Sequence, residues 1–216
     1  MFRERHRKND FISPVFVHKL EKHDEIKSQV LALIKNDDGR ISQTTDGKGT
    51  DIAKTDFYKT NSEVSEYKEY VTPFLVEHIQ KIWYENKIFP NCLFSMGNMW
   101  YQQYKNNNFH TWHTHEKSHF TNVYFVQLPD NGTKFNPFGT QVLNLKGERI
   151  YFDEMEEGFI MTFPGYLLHR SPVNTTNQTK TIISWNMQII EKSASISEGR
   201  FKKENKVIEA GQENKG

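Results

Sequence analysis

Four of the chain's nine histidines fall between His110 and His119, in the run His110-Thr-Trp-His113-Thr-His115-Glu-Lys-Ser-His119. A fifth, His169, closes the downstream element Pro164-Gly-Tyr-Leu-Leu-His169. In an extended strand, side chains at i and i+2 share a face, so His113 and His115 can point into one coordination sphere. His169 then completes a set of three imidazoles at the mouth of a rolled sheet, with the opposite positions open to ligands. Such a site does redox or Lewis-acid chemistry. Iron(II) enzymes of this design normally use two histidines and a carboxylate, and three histidines also suit catalytic zinc.

The same letters hold a rival. His115-Glu-Lys-Ser-His119 matches the H-E-x-x-H pattern of zinc peptidases, which requires a helix so that both histidines share a face. The flank Thr121-Asn-Val-Tyr-Phe-Val126 is rich in β-branched and aromatic residues and reads as a strand. A strand pattern here opposes the peptidase geometry.

Several elements must position these histidines. Residues 13–20 read as a strand, and Asp24 is expected to cap a helix carrying Ile26, Val30, Leu33 and Ile34 on one side. Residues 36–56, rich in Asn, Asp, Gly and Thr, read as an exposed loop that, with Lys105–Asn108, frames the pocket mouth. A helix near 62–71 is expected to end before a second one. Thr72 and Pro73 supply the second helix's N-cap and first position, and Leu75, Ile79, Ile82 and Trp83 its buried face. Short strands then follow at 93–96, 98–104, 121–128, 141–145, 158–163 and 179–190, separated by Asn/Gly/Pro turns. This pattern favours a β-sandwich or jelly roll. The fold class is therefore mainly β with flanking helices (α+β). It is organised as one domain over 1–190, with 1–95 supporting a jelly-roll core at 96–190, and a flexible polar tail over 191–216. Glu154, Glu156 and Glu157 read as a solvated acidic hairpin end.

Composition narrows the functional classes. The 216 residues carry 28 basic and 27 acidic side chains, for a net charge of +1. That balance gives no electrostatic case for nucleic acid or an anionic membrane. Aromatics reach 13%, so the core is expected to be rich in Phe, Tyr and Trp. Cys92 is the only cysteine, which fits a reducing compartment. No apolar run of about 18 residues suggests a membrane helix. A cytoplasmic location is expected, and no Ser-His-Asp or paired-carboxylate constellation stands out.

Three segments in order resemble the Fe(II)/2-oxoglutarate-dependent oxygenases, in the prolyl-hydroxylase-like branch that includes phage and cyanobacterial members. They are His113–Pro129, Phe159–His169 and Lys180-Thr-Ile-Ile-Ser-Trp-Asn186, and the resemblance spans about residues 98–188. It implies a double-stranded β-helix, iron held by His113, His115 and His169, and 2-oxoglutarate and O2 as cosubstrates. It also implies that Lys180, eleven positions after His169, grips the far carboxylate of 2-oxoglutarate. Tyr104, Thr121, Ser184 and Asn186 are the further cosubstrate contacts it suggests. Lys180 replaces the usual Arg, exchanging a bidentate fork for a single ammonium, and Phe125 stands where a Tyr is common. The implied reaction is oxidative decarboxylation of 2-oxoglutarate coupled to hydroxylation of a small-molecule or peptide substrate. The implied setting includes a phage-infected cell. Two alternatives stay open: a cupin-like metal enzyme without 2-oxoglutarate, and a non-enzymatic phage-type β-sandwich binding protein.

Overall fold

The computed structural model of the chain describes residues 15–42, 50–57, 65–85, 92–130, 136–144, 146–150, 155–191 and 206–209. Among the described residues, two helices and twelve strands form three layers. The helices are α1 (His23–Asn36) and α2 (Glu66–Glu85). The strands are β1 (Phe16–Lys19), β2 (Arg40–Ser42), β3 (Ile52–Thr55), β4 (Cys92–Tyr104), β5 (His110–His113), β6 (Phe120–Gln127), β7 (Gln141–Leu143), β8 (Arg149–Ile150), β9 (Phe159–Pro164), β10 (His169–Ser171), β11 (Lys180–Glu191) and β12 (Lys206–Glu209). The major sheet runs β1-β9-β6-β11-β4-β3-β2, with β12 also on β4. The minor sheet runs β5-β10-β7-β8. This is the two-sheet jelly roll expected from the strand spacing.

Alternation along each major strand divides two cores. On β11, Ile183, Trp185 and Met187 face the helices, while Ile182 faces the minor sheet. On β6, Phe120, Tyr124 and Val126 join the helix side, and Val123 and Phe125 join the sandwich interior. A one-residue slip would exchange the two sets, so the register that packs the helices also aims the inner face at the site.

The helices bury residues spaced by four. On α1 these are Ile26, Val30 and Ile34; on α2 they are Tyr67, Val71, Leu75, Ile79 and Trp83. Spacing by four keeps side chains on one face. Among the described residues, no helix is long and apolar enough to cross a membrane.

Several expectations are corrected. Asp24 is not the cap: the helix begins at His23, after Lys22, with no side-chain cap bond. Asp24 and Glu25 lie in the first turn, where acidic groups favour the positive helix end. Thr72 and Pro73 do not start a helix, because α2 runs through Pro73 without interruption. Thr72 Oγ1 turns back to donate to the Lys68 carbonyl. An interior proline removes one helical hydrogen bond and clashes with the preceding turn, at about 3 kcal/mol. The unbroken apolar stripe on both sides of Pro73 outweighs that cost. Residues 40–42 and 52–55 are paired strands rather than loop, with Ile52, Thr55 and Asp56 buried. The tail also contributes, since Lys206–Glu209 pairs antiparallel with β4. Expected segments at 13–14 and 62–64 lie outside the described residues.

The acidic turn is likewise more than a solvated hairpin end. Glu157 takes Lys27 from α1, accepts the Leu128 backbone N–H at 3.1 Å, and lies 3.7 Å from His23. His23 Nδ1 meets Tyr124 Oη at 2.7 Å, tying α1 to β6.

A second polar anchor sits at the other end of the helical layer. Asp56, 2% exposed, accepts the Tyr101 backbone N–H at 2.8 Å and the Tyr67 hydroxyl at 2.7 Å, and pairs with Lys68 at 2.8 Å. Removing one partner of a buried ion pair strands the others and typically costs about 3–5 kcal/mol. Asp56→Ala is therefore expected to destabilise the protein by about that amount, read from the midpoint shift in urea unfolding. Asp56→Asn should recover part of the loss.

Candidate metal centre

Antiparallel pairing brings the remote histidine to its partners. β10 pairs with β5 so that His169 lies opposite His113. His115 lies beyond the end of β5, so strand alternation alone does not place it. Its backbone N–H donates to Gly165 O at 2.8 Å, and Gly165 N–H in turn donates to His119 O at 3.1 Å. A Cβ at Gly165 would stand 2.5 Å from Ser118 O and 3.0 Å from His115 O. Only glycine permits this approach, which joins the His115 turn to the segment leading to His169.

The potential ligand atoms of His113, His115 and His169 all lie within 4.8 Å of one another. Each ring is held from its other nitrogen. His113 Nδ1 meets Thr111 O at 2.8 Å, His169 Nδ1 meets Leu167 O at 2.9 Å, and His115 Nδ1 meets Asn186 Oδ1 at 2.8 Å. Carbonyl oxygens only accept, so Nδ1 carries the proton in each ring and Nε2 keeps its lone pair. That is the tautomer a metal-binding histidine needs, with its orientation fixed by the second hydrogen bond.

Burial holds the rings neutral. It lowers His115 to about 4, lowers His113, and lowers His169 furthest, with the neighbouring imidazoles adding to the shift at His115 and His169. Trp100 stacks on His115 at 5.5 Å, and Phe163 packs edge-on to His169 at 4.6 Å. His119 is not part of the group: its Nδ1 accepts the Ile189 N–H at 2.9 Å. Residues 116 and 117 form a turn, with Lys117 at φ +63°. The helix required by the peptidase motif is absent.

The inner face of β11 carries the other anticipated residues. Lys180 is fully buried, and its Nζ donates to Phe138 O at 2.6 Å and Ser171 Oγ at 2.8 Å. The ammonium stands 5.1 Å from the Tyr104 ring centre and 6.0 Å from that of Phe125. Among the described residues no carboxylate pairs with it. Burial brings its pKa down to about 7. Lys180 lies opposite Tyr104 across the β11–β4 pairing, and Ser171 is two positions after His169 on the same short strand. Cation and imidazoles therefore share one interior.

Thr121 lies opposite both Asn186 and Phe163. Its hydroxyl is buried and meets no hydrogen-bond partner among the described residues. Ser184 is buried one alternation from Asn186. Asn186, anticipated as a cosubstrate contact, has its Oδ1 engaged with His115. Sequence reading did not single out Gln102, Ser171 or Trp100. Gln102 and Ser171 stand two residues from Tyr104 and His169, so strand alternation was the signal that could have found them.

Residues 98–186 match the family model described as "Putative 2OG-Fe(II) oxygenase". Among solved structures, the chain is similar to an oxidoreductase of the 2OG-Fe(II) oxygenase family from Burkholderia pseudomallei. The TM-score is 0.60 at 10% identity, over 81% of this chain and 84% of that one. A Trichoplax adhaerens prolyl hydroxylase, solved with a hypoxia inducible factor peptide, gives a TM-score of 0.57 at 10% identity, over 82% and 84%. The viral collagen prolyl hydroxylase of Paramecium Bursaria Chlorella virus-1 gives 0.51 at 11% identity, over 80% and 94%. At such identities these likenesses speak to the fold. No curated protein matches the sequence.

The Asn186–His115 bond yields a direct test. Outer-shell partners of metal histidines are typically worth about 10–100-fold in metal affinity. Asn186→Ala should weaken Zn(II) or Co(II) binding by about that factor in competition titrations, and His169→Ala should abolish binding.

Proposed function

We propose, from the premise that this chain belongs to the 2OG-Fe(II) oxygenases, that His113, His115 and His169 hold the iron and that Lys180 anchors 2-oxoglutarate for hydroxylation of a second substrate. The observation that carries this reading is the convergence of three imidazoles, each holding its Nδ1 in a hydrogen bond and leaving Nε2 for a ligand role, in one interior with a buried ammonium that meets no anionic partner among the described residues.

Both groups suit these residues. Three neutral imidazoles whose potential ligand atoms lie within 4.8 Å of one another are a donor set for a divalent first-row metal. A lysine drawn down to about 7 by burial gains most from a carboxylate, which restores its charge in a low-dielectric site. When bound, iron supplies the activation of O2 that couples decarboxylation of 2-oxoglutarate to substrate oxidation.

The chain's own residues would do the rest. Lys180, gripped by Phe138 O and Ser171 Oγ, fixes one end of the dianion. Tyr104 and Phe125 wall the stem and keep water from the ammonium. Thr121 and Ser184 supply hydroxyls on the inner face, and Asn186 holds His115. Phe125 brings no hydroxyl to the carboxylate, which leaves Ser171 as the polar neighbour of Lys180. We assign the second substrate to the small molecules or peptides and the enzyme to the cytoplasm. Balanced charge and a single cysteine support these assignments; a reducing compartment also keeps iron ferrous.

The reading is tested by succinate release. Purified protein with Fe(II), ascorbate and 2-oxoglutarate should form succinate slowly without a second substrate, and His113→Ala or His169→Ala should not. Absence of 2-oxoglutarate turnover by the intact protein, with every candidate substrate offered, contradicts it.

Lys180 adds a pH signature. Its folded pKa is depressed below the unfolded value, so the empty pocket is charged below about 7 and neutral above it. Carboxylate binding requires the ammonium and so takes up a proton at higher pH. Affinity for 2-oxoglutarate is expected to fall about tenfold per pH unit above neutrality, with proton uptake visible by calorimetry in buffers of different ionisation enthalpy. Lys180→Arg, always charged, should flatten the profile. Lys180→Ala should weaken binding about 10- to 100-fold.

A further inference from the structure

His110 is the one member of the histidine-rich run that neither joins the triad nor caps a strand. Its ring stacks on His113 at 3.9 Å between centres and 19° between planes. It is half-buried. It stands against the triad and, through Gln102 and Tyr104, is joined to the ring over which the Lys180 ammonium sits.

A directional chain of hydrogen bonds fixes which of its nitrogens bears hydrogen. Lys180 Nζ can only donate while charged, and even as an amine it keeps one hydrogen for each of Phe138 O and Ser171 Oγ. Ser171 Oγ accepts from it at 2.8 Å, and Nζ stands 5.1 Å from the Tyr104 ring centre. The Tyr104 hydroxyl donates to Gln102 Oε1 at 3.0 Å. This orients the amide so that Gln102 Nε2 donates to His110 Nδ1 at 3.3 Å. With Nδ1 accepting, the single imidazole hydrogen sits on Nε2. His110 is thus the opposite tautomer to its three neighbours: they offer Nε2 lone pairs, and it offers an Nε2–H. Among the described residues, that donor meets no acceptor.

We propose that His110 is a binding residue for the 2-oxo acid, its Nε2–H donating to an oxygen of the ligand between the triad and Lys180, with Gln102 and Tyr104 as the positioning residues that hold it in that form. The ligand role rests on the oxygenase reading; the tautomer does not.

Long-range proton–nitrogen spectra of the metal-free, full-length, nitrogen-15-labelled protein test the tautomer. His110 should appear as the Nε2–H form and His113, His115 and His169 as Nδ1–H forms, and Gln102→Leu should release His110 into a mixture. Binding of 2-oxoglutarate to the anaerobic Fe(II) protein tests the role. His110→Phe keeps the stacking ring without the donor and should weaken binding about tenfold, with Zn(II) affinity changed less than about twofold, as a hydrogen bond lost outside the ligand shell predicts. An Nδ1–H form of His110 in the unaltered protein overturns the proposal. So does 2-oxoglutarate binding by His110→Phe at the unaltered strength, or a parallel loss of Zn(II) affinity. Failure of the intact protein to turn over 2-oxoglutarate contradicts the oxygenase reading and leaves the tautomer result to stand on its own.

Discussion

Three oxygen atoms on which the site depends are Thr111 O, Leu167 O and Asn186 Oδ1, which accept the Nδ1 protons of His113, His169 and His115. An imidazole that lost this bond could rotate or exchange tautomers, and its Nε2 would cease to be a dependable ligand. Two of the three acceptors are backbone carbonyls two residues before the histidine they hold, so they come with the strand. The third is a side chain on another strand, and it serves the one histidine of the three that lies beyond strand β5. Much of the architecture follows from keeping these acceptors in place: the β5–β10 register, the close approach at Gly165, and the inward facing of alternate residues on β11.

The same inward face places a second, less comfortable group. A fully buried lysine that meets no carboxylate among the described residues costs stability, and burial shows this by pulling its proton affinity towards neutrality. Two hydrogen bonds and two aromatic rings offset part of that cost. A titratable group so perturbed in an interior is a common mark of a functional site. Lys180 Nζ stands over the Tyr104 ring, and the Tyr104 hydroxyl leads through Gln102 to His110, which stacks on His113, so the buried cation and the three imidazoles share one interior.

Much of this was legible from residue types and spacing. The jelly roll showed in the short strands of alternating character, and the histidine group in the dense run plus a remote partner. Lys180 was singled out only through the resemblance to the oxygenases, and its full burial was not visible in the sequence. What stayed hidden depended on tertiary contacts. The single helix through Pro73 defeats a local rule, because the four-residue stripe from Tyr67 to Trp83 packs against the sheet and outweighs the proline's cost. Strands β2 and β3 sit in an Asn- and Gly-rich stretch whose composition reads as loop, and pairing with β4 makes them strand. Glu157 looked like part of a solvated acidic turn, yet it meets Lys27 and the Leu128 amide. Asn186 could be placed on the correct face by alternation, but its partner could be found only by bringing residues 115 and 186 together in space.

The most direct measurement is the visible spectrum of the protein under anaerobic conditions with Fe(II) and 2-oxoglutarate. Chelation of a 2-oxo acid by iron on the three imidazoles predicts a metal-to-ligand charge-transfer band that vanishes when His169 is replaced by alanine. The absence of any band from intact, folded protein at saturating metal and 2-oxoglutarate would contradict the account at its centre.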